Sequence, residues 1–414
     1  MSIGVIADDI TGACDVAAGV TSAGLSAEVR LGIPDAAEPT DAACVVVALK
    51  SRTAPSADAV AASVASAAAL RSWHVQTLYL KYCSTFDSTD EGNIGPVADA
   101  LLDLVGPTAA SIGTPATPRV GRTVHRGHLF VGDRLLSESS LARHPLTPMT
   151  DPDLVRVLGR QTSRPVGCIP IEAVRAGVQA VRDRIDALRS AGVRHLLADA
   201  VEDEDLDVLA TATAGMPDVV LGGAAGLVAA VARRVGTAAD GRPAPAPSGR
   251  RLLLSGSASE RTRAQVAAFA GRVFVIDADA AVRDPEAVIA AALAFVAGAE
   301  LPLVSATADP PQVHRAQAAW GAVRAAAAVE HVLGRVAQRA VADLGVRRIL
   351  VAGGETSGAV AQALQVRRLH VRRVVSVGVP WMTAADPAGR RLDLCFKSGN
   401  FGEVDLFTRA WEEG

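Results

Sequence analysis

The first group of side chains that could do chemistry follows the first apolar stretch of the sequence. Two adjacent carboxylates, Asp8 and Asp9, come directly after Ile3–Ala7, a predicted strand. Thr11 follows them, and Asp15 lies one helical turn beyond Thr11 on the same face of a predicted helix. Adjacent carboxylates repel each other unless a cation or hydroxyl donors intervene, and polyol hydroxyls are such donors. A helix-capping aspartate would explain one acid and not three, so the group predicts binding of a hydroxylated ligand.

A second polar group follows the predicted strand Thr77–Leu80. It combines a lysine with hydroxyl, carboxyl and amide groups in the segments Lys81-Tyr82-Cys83-Ser84-Thr85-Phe86-Asp87-Ser88-Thr89 and Gly92-Asn93-Ile94-Gly95. A lysine suits the carboxylate of a small anionic polyol, and the hydroxyls with Asp87 suit its OH groups. An ordinary polar loop with glycine-rich turns fits the same composition, so both interpretations stay open at this point.

Two histidines lie on a predicted hairpin further along the chain. Its strands, Thr123–Val131 and Arg134–Ser137, flank Gly132-Asp133, a two-residue hairpin signal. His125 and His128 lie three residues apart on the first predicted strand. They suggest a metal site only weakly, because no third ligand is evident nearby. A polar lining over a ligand and a surface hairpin with basic residues are the better interpretations.

Three loops of small residues occur in the C-terminal half, each at the end of a predicted strand. They are Ser255-Gly256-Ser257-Ala258-Ser259, Gly353-Gly354-Glu355-Thr356-Ser357-Gly358 and Lys397-Ser398-Gly399-Asn400-Phe401-Gly402. Such loops let backbone N–H groups cradle phosphates. None is a Walker A loop or a GxGxxG motif, and a single glycine loop often reflects tight geometry only. Three of them in one half of the chain predict nucleotide binding.

The elements that position these groups alternate along the chain. Short β-branched runs predict strands and Ala-rich stretches predict the helices between them, which is typical of parallel βαβ units. Ligands bind at the C-terminal ends of such strands. The other predicted strands are Ala27–Leu31, Cys44–Ala48, Arg194–Asp199, Val219–Leu221, Arg251–Leu254, Arg272–Ile276, Leu301–Ser305, Arg348–Ala352 and Arg373–Val377. The rhythm breaks between Gly106 and Met149, where we expect a loop-rich insertion.

A stretch without large apolar residues divides the chain. Residues 236–250, GTAADGRPAPAPSGR, have the composition of a semi-rigid linker. We therefore expect an α/β protein with two domains and mainly parallel sheets. The first domain covers residues 1–236 and carries the hairpin insertion, residues 237–250 form a Pro/Gly/Ala linker, and the second domain covers residues 251–414.

Composition narrows the class of protein. The chain has 414 residues, of which 50% are hydrophobic and 3% aromatic, and a formal net charge of −3. That charge removes the electrostatic case for a general nucleic-acid binder, and the few aromatics argue against base stacking. Five cysteines without a CxxC pair indicate neither a disulfide framework nor structural zinc. No signal peptide or membrane span is evident, so we expect a soluble cytoplasmic protein whose oligomeric state the sequence does not indicate.

Several of these segments together resemble a known family. The blocks ADDITGACDVA, KYCSTFDST with GNIGPV, GRTVHRGHLFVGDRLLSES, HPLTPMTDPDLVRVL, GGETSGAVAQAL and KSGNFG are similar to the four-carbon acid sugar kinase family, in its 3-oxo-tetronate kinase branch. The resemblance runs from Ile3 to about Phe407. It implies a sugar-acid-binding N-terminal domain, a nucleotide-binding C-terminal domain, and ATP-dependent phosphorylation of the 4-hydroxyl of 3-oxo-tetronate (3-dehydro-erythronate) in C4 sugar-acid catabolism.

Matching the motifs residue by residue implies roles for individual positions. Among these positions Asp9 and Asp87 are the candidate catalytic bases, because a primary alcohol needs a carboxylate to accept its proton, and Asp9 is slightly preferred because the strand end holds it rigidly. The implied sugar-acid ligands are Asp8, Thr11, Asp15, the arginine of Ser51-Arg52-Thr53, Lys81, Ser84, Thr85 and His128. The implied ATP-binding residues are Ser255, Ser257, Gly353, Gly354, Glu355, Thr356, Ser357, Gly358, Lys397, Ser398, Gly399 and Asn400. Lys81 would bind the substrate carboxylate and Lys397 would offset charge on the γ-phosphate. Mg²⁺ would arrive with ATP, touched through water by Asp8 or Glu355, and no residue set forms a dedicated metal site.

Other functions stay open. His125-Arg126 replaces a Tyr-Gln common in the branch, so a D-threonate or D-erythronate kinase of the same family is the first alternative. A non-catalytic sugar-acid sensor is the alternative of another class, against which the intact glycine loops argue. A nicotinamide dehydrogenase is a weaker interpretation, because the dinucleotide fingerprint is missing.

Overall fold

The computed structural model describes residues 2–143, 147–236 and 245–412. It separates into two compact units, Met1–Asp240 and Gly241–Gly414. Residues 237–244 of the predicted linker and residues 144–146 of the HPLTP block lie outside the described residues.

The first unit is built on a parallel sheet. Its strands in chain order, with the hairpin insertion included, are β1 (Ile3–Ala7), β2 (Ala27–Leu31), β3 (Cys44–Ala48), β4 (Thr77–Lys81), β5 (Ala110–Thr114), β6 (Arg122–His125), β7 (His128–Val131), β8 (Arg134–Leu135), β9 (Val166–Ile169), β10 (His195–Ala198) and β11 (Val219–Gly223). The sheet order is β2-β3-β1-β4-β11-β5-β10-β9, with every pairing parallel. This confirms the predicted α/β class.

Helices connect these strands. They are α1 (Ile10–Ser22), α2 (Ser56–Ser72), α3 (Ile94–Val105), α4 (Leu154–Gly159), α5 (Ile171–Arg175), α6 (Val178–Ser190), α7 (Asp203–Ala212) and α8 (Ala225–Arg233), with 3-10 turns at Pro118–Val120, Leu136–Glu138 and Ser140–Arg143. The central strands β1 and β3 are apolar and wholly buried, as expected for strands covered by helices on both faces.

The hairpin insertion differs from its prediction. Instead of one strand over Thr123–Val131, the chain reverses at Arg126-Gly127, where both residues have positive φ (50° and 74°). Positive φ at both central residues is the geometry of a type I′ turn, which joins β6 and β7 as an antiparallel pair. The predicted turn at Gly132-Asp133 is confirmed and joins β7 to β8. The insertion is therefore a three-stranded sheet.

The loop-rich stretch that we expected from Gly106 begins with a strand instead. β5 lies between β11 and β10 inside the sheet. Its sequence, ASIGT, lacks a β-branched run, and its place depends on a close backbone approach. A Cβ on Gly113 would lie 2.5 Å from the carbonyl oxygen of Gly222 on β11. Only glycine permits that approach of the two backbones. The pattern of residues along the chain does not show which strand will lie against Gly113, so β5 was not predicted.

The second unit has its own sheet. Its strands are β12 (Arg250–Ser255), β13 (Val273–Val275), β14 (Leu303–Ser305), β15 (Val346–Ala352), β16 (Arg368–Ser376), β17 (Val379–Ala385) and β18 (Arg391–Lys397). Its helices are α9 (Glu260–Ala268), α10 (Ala278–Arg283), α11 (Pro285–Ala297), α12 (Pro310–Trp320), α13 (Ala322–Asp343), α14 (Gly354–Ala363) and α15 (Leu406–Arg409). The strand order is β13-β14-β12-β15-β18-β17-β16.

Part of this second sheet is antiparallel. β13, β14, β12, β15 and β18 pair in parallel, whereas β17 pairs antiparallel with both β16 and β18. The predicted strand near Arg373–Val377 is present as β16, and the antiparallel strand β17 that follows it was not predicted. Within the described residues, no helix has the length and apolar character needed to cross a bilayer.

Candidate functional site

The acidic group after β1 is held by the start of α1. Asp9 is the N-cap of this helix, and its Oδ1 accepts a hydrogen bond from the Gly12 N–H at 2.8 Å. Its Oδ2 accepts from the Thr11 hydroxyl at 2.7 Å. The Asp9 carboxylate is therefore fixed in position by its own helix turn, as expected for an N-cap aspartate.

Arg52 neutralises both adjacent carboxylates. Its Nε and Nη2 donate to the two oxygens of Asp8 at 2.8 and 2.9 Å, and its Nη2 also lies 2.9 Å from Asp9 Oδ1. The Arg52 turn is anchored in turn by Asn93, whose amide nitrogen donates to the Ser51 carbonyl at 2.6 Å. A bidentate arginine therefore relieves the repulsion between Asp8 and Asp9, for which the sequence indicated either a cation or hydroxyl donors.

Lys81 lies beside this group. Ala7 of β1 pairs in register with Lys81 of β4, which places the two strand ends side by side. The Lys81 side chain is buried, and its Nζ donates to the Tyr82 carbonyl at 2.8 Å. A Cβ on Gly12 would lie 2.8 Å from this Nζ and 2.5 Å from Asp9 Oδ1. Glycine at position 12 therefore allows the ammonium group to approach α1.

The electrostatics of Asp9 and Asp15 differ. Burial opposes ionisation of Asp9, yet Arg52 and Lys81, with the hydrogen bonds from Thr11 and Gly12, hold its pKa below the usual value. Burial raises the pKa of Asp15 to about 6, against the lowering effect of Lys81, and the charge of Asp9 adds to the rise. Within the described residues, no hydrogen bond engages the Asp15 carboxylate. Asp15 thus carries an ionisable group that the fold does not stabilise.

The polar loop after β4 forms a chain of hydrogen bonds. Cys83 Sγ lies 3.0 Å from Thr85 Oγ1, which donates to Asp87 Oδ1 at 2.5 Å. Burial raises the pKa of the Cys83 thiol to about 11, Asp87 adds to the rise, and Arg52 and Lys81 oppose it. The loop therefore lies within electrostatic reach of both Arg52 and Lys81. The acidic group after β1 and the polar loop after β4, which the sequence predicted separately, are thus neighbours. Ser84 is half-buried in the same loop.

Arg122 also belongs to this neighbourhood, and sequence reasoning missed it. Burial lowers its pKa, while Cys83 and Asp87 act in the opposite direction. Its Nη1 donates to the Val120 carbonyl at 2.6 Å, and its buried Nε has no partner in the described part of the chain. No local feature of the sequence sets Arg122 apart from the other arginines.

The two histidines of the hairpin contact other residues than those of the acidic group. His125 and His128 face each other across the β6–β7 pair, and His128 Nδ1 lies 2.8 Å from the Arg126 carbonyl. His125 lies within electrostatic reach of Glu172, and Arg126 forms a hydrogen bond with the same residue at 2.5 Å. Across residues 2–143, 147–236 and 245–412, neither histidine forms a hydrogen bond with the acidic group, and no set of three metal-ligating side chains occurs. The structure gives no support to His128 as a substrate ligand.

In the second unit, three strand ends converge. Ser255 of β12 pairs with Ala352 of β15, which pairs with Lys397 of β18. The three small-residue loops therefore start side by side, as predicted for a phosphate-binding edge. A Cβ on Gly256 would lie 2.2 Å from Thr356 Oγ1, and one on Gly399 would lie 2.4 Å from Ser257 Oγ. The loops pack against each other at distances that side chains larger than hydrogen would prevent.

The N-terminus of α14 lies at the centre of these loops. Its first turn is Gly354-Glu355-Thr356-Ser357, preceded by Gly353 at φ 122°. The Ser357 hydroxyl is buried and has no hydrogen-bond partner among the residues described. Ser255 is also buried, and its hydroxyl lies 2.5 Å from Thr307 Oγ1. The free N–H groups of a helix start are a suitable site for phosphate oxygens.

Lys397 forms hydrogen bonds within the second unit. Its side chain is buried, and its Nζ donates to Thr262 Oγ1 at 3.0 Å, Gln265 Oε1 at 2.7 Å and the Gly399 carbonyl at 3.3 Å. An ammonium group has three donors, and these contacts use all three. Burial lowers its pKa to about 7. Through these contacts Lys397 fixes the loop after β18 to α9, and its expected role at the γ-phosphate stays a prediction.

Comparisons with known proteins cover the whole chain. Residues 3–231 match the family described as sugar-binding N-terminal domain, and residues 252–407 match the nucleotide-binding C-terminal domain. A 3-oxo-tetronate kinase of Burkholderia multivorans is 48% identical over 99% of this chain and 96% of its own length. The 3-oxo-tetronate kinase of Cupriavidus necator is 46% identical with the same coverage.

Solved structures give the same picture of the fold. A crystal structure from Salmonella typhimurium LT2, assigned provisionally to a tRNA synthase, has a TM-score of 0.84, 37% identity and 99% coverage of both chains. A Haemophilus influenzae protein has a TM-score of 0.73, 36% identity and 98% coverage of both chains. From the two domain matches and the full-length identities, the chain belongs to the four-carbon acid sugar kinase family, the family of these 3-oxo-tetronate kinases.

Proposed function

We propose that the protein is an ATP-dependent kinase that phosphorylates the 4-hydroxyl of 3-oxo-tetronate. The full-length identity of 48% to a relative with that name carries the proposal. The two groups of residues described above support it chemically. The first unit gathers carboxylates, hydroxyls and cations suited to a hydroxylated acid, and the second presents a helix start and glycine loops suited to a triphosphate.

The sugar acid is assigned to the first unit. Asp8, Asp9 and Thr11 form a fixed polar edge with Arg52, and Ser84 and Thr85 add hydroxyls from the neighbouring loop. ATP is assigned to the second unit, where the first turn of α14 and the backbone of the loops after β12 and β18 would hold the phosphates. Ser257, Ser398 and Asn400 are the polar side chains at the edge of these loops.

The transfer requires a proton acceptor, because a primary alcohol does not ionise unaided near neutral pH. Asp9 suits this role less well than expected, since its two oxygens already accept from Thr11 and Gly12 and contact Arg52. Asp15 and Asp87 suit it better. Asp15 has a pKa of about 6, close to neutral, and no hydrogen bond to a described residue. We assign the base to one of these two carboxylates.

Mg²⁺ is proposed to enter with ATP. Within the described residues there is no cluster of three acidic, histidine or cysteine side chains that would hold it on its own. Glu355 in the first turn of α14 is the carboxylate at the glycine loops, so it suits water-mediated contact with a phosphate-bound ion. The ion would neutralise phosphate charge.

An ADP-release assay on a panel of four-carbon acids tests the proposal. Of these acids, 3-oxo-tetronate should give the highest kcat/KM. The kcat/KM values for D-erythronate and D-threonate should be at least ten-fold lower. A higher value for a reduced acid would instead identify the D-threonate or D-erythronate kinase alternative. No ADP release with any acid, together with calorimetric binding of an acid, would identify a sensor. The tRNA-related assignment of one structural relative finds no support in the net charge of −3.

A further inference from the structure

A small sugar acid needs a cation for its carboxylate, and Lys81 does not supply a free one. Its side chain is buried, and its Nζ already donates to the Tyr82 carbonyl. It also lies in electrostatic contact with both Asp9 and Asp15, so its single charge is opposed by two carboxylates of its own chain. The same holds for Arg52, whose guanidinium is shared between Asp8 and Asp9. These two cations stabilise the acidic group itself.

Arg122 differs from both of them. Its Nη1 donates to the Val120 carbonyl, and its backbone N–H and C=O bond to Thr117, which fixes the start of β6. Its Nε is buried, and no acceptor in the described residues takes the Nε or Nη2 hydrogens. Leaving a buried guanidinium N–H unpaired is unfavourable unless a ligand or a water molecule supplies the acceptor.

The donors that remain are the right pair for a carboxylate. Nε and Nη2 form one edge of the guanidinium plane, and two parallel N–H groups on that edge bind both oxygens of a carboxylate. This edge belongs to a side chain within electrostatic reach of Cys83 and Asp87, in the loop proposed to bind the hydroxyls of the sugar acid. Neither residue forms an ion pair with Arg122 in the described structure.

We propose that Arg122 binds the substrate carboxylate through Nε and Nη2 and thereby selects acids over neutral sugars. This inference rests on the proposed function. It replaces Lys81 in that role, and it assigns the hairpin insertion a part in substrate recognition. The selectivity arises because a neutral four-carbon ketose offers no charge to the unpaired guanidinium edge.

The test compares the acid with erythrulose, in which a CH2OH group replaces the carboxylate. Arg122→Gln and Arg122→Lys are assayed with both compounds, and acid binding is measured by calorimetry without ATP. We expect Arg122→Gln to lower kcat/KM for the acid by about 100-fold, mainly through KM, and for erythrulose by less than three-fold. Arg122→Lys, which keeps the charge but not the paired donors, should lose about ten-fold for the acid.

Controls separate recognition from structure. Arg134→Ala removes an exposed arginine of β8 in the same three-stranded insertion and should leave the activity with both compounds unchanged. Retention of acid binding by Arg122→Gln within three-fold, or an equal loss for the acid and erythrulose, would overturn the assignment. If the wild-type chain releases no ADP with the acid, the proposed kinase activity fails, while calorimetry of the acid with wild type and Arg122→Gln still tests Arg122.

Discussion

At the scale of single residues, Asp15 is the clearest sign that the acidic group is retained for function. Its raised pKa means that ionisation of this carboxylate opposes folding. The unfolded chain releases the proton near pH 4 and the folded chain near pH 6, so stability falls as pH rises through that interval. If stability were the only requirement, a neutral residue at position 15 would be favoured over aspartate.

Asp15→Asn should therefore stabilise the protein and impair its activity. We expect the free energy of unfolding at pH 8 to rise by about 1–3 kcal/mol, and the gain to disappear as pH approaches 4. We also expect kcat to fall at least 100-fold if Asp15 is the base. Urea unfolding at a series of pH values and steady-state kinetics measure the two effects.

The matched control is Asp186→Asn, an exposed aspartate in the interior of α6. It should change stability by less than about 0.5 kcal/mol at any pH. Equal or lower stability of Asp15→Asn at pH 8 would contradict the account of this site. Stabilisation with unchanged kcat would instead leave Asp87 as the base.

The sequence predicted the donors and acceptors of the site better than their pairing. Asp8, Asp9, Thr11 and Asp87 are brought together as their strand-end positions indicated. Arg122 has no local signal that sets it apart from other arginines. Its relation to Cys83 and Asp87 depends on how the hairpin folds back, which spacing along the chain does not encode.

At the scale of elements, the loops of the second unit are held by close contacts between glycines and hydroxyls. Gly256→Ala would place a methyl group 2.2 Å from Thr356 Oγ1, at the first turn of α14. We expect ADP affinity to fall at least ten-fold and sugar-acid affinity to change less than two-fold. Calorimetry with each ligand measures both values.

Gly298→Ala is the control for this substitution. Gly298 follows α11 at φ −91°, and a Cβ there makes only ordinary contacts at 3.7 and 3.8 Å. Its ADP affinity should match the wild type. Unchanged ADP affinity in Gly256→Ala would show that these loops do not form the nucleotide site.

A serine–histidine–aspartate chain in the first unit is an element of structure. Ser111 Oγ lies 2.8 Å from His195 Nδ1, and His195 Nε2 lies 2.8 Å from Asp99 Oδ1. Ser111 and His195 pair in register at the amino ends of β5 and β10, opposite the strand ends where the acidic group lies. His195 is fully buried. These hydrogen bonds between Ser111, His195 and Asp99 therefore connect α3 to the sheet.

Substitution of Ser111, the first residue of this hydrogen-bonded triad, should affect stability and leave activity unchanged. We expect Ser111→Ala to lower the free energy of unfolding by about 1–3 kcal/mol, because it leaves a buried imidazole nitrogen unpaired. The kcat for the acid should stay within two-fold of wild type, and no esterase activity should be detectable in either protein. Thermal unfolding and kinetics of the same preparation measure both. A fall in kcat at unchanged stability would contradict the structural role.

The elements themselves were predictable where local patterns are strong. β1, β2 and β3 have the bounds that their β-branched runs indicated. β5 was missed because glycine packing sets its place, and the reversal at Arg126-Gly127 was missed because Arg126 is not a usual residue for positive φ. The antiparallel end of the second sheet consists of two hairpins, β16–β17 and β17–β18, which a βαβ rhythm does not indicate.

At the scale of the whole molecule, the composition now has a chemical explanation. A small hydroxylated acid and a triphosphate require carboxylates, hydroxyls and backbone N–H groups, which is consistent with an aromatic content of 3%. With a net charge of −3, anion binding depends on a few local groups and not on a general field. We assign these roles to Arg122 and to the start of α14.

The central claim concerns which hydroxyl receives the phosphoryl group. Proton-coupled phosphorus NMR of the product formed from ATP and 3-oxo-tetronate tests it directly. Transfer to the 4-hydroxyl gives a phosphate on a CH2 group, so the account predicts a triplet together with stoichiometric ADP. A doublet, which reports a phosphate on the C2 hydroxyl, or inorganic phosphate without an ester, would contradict it.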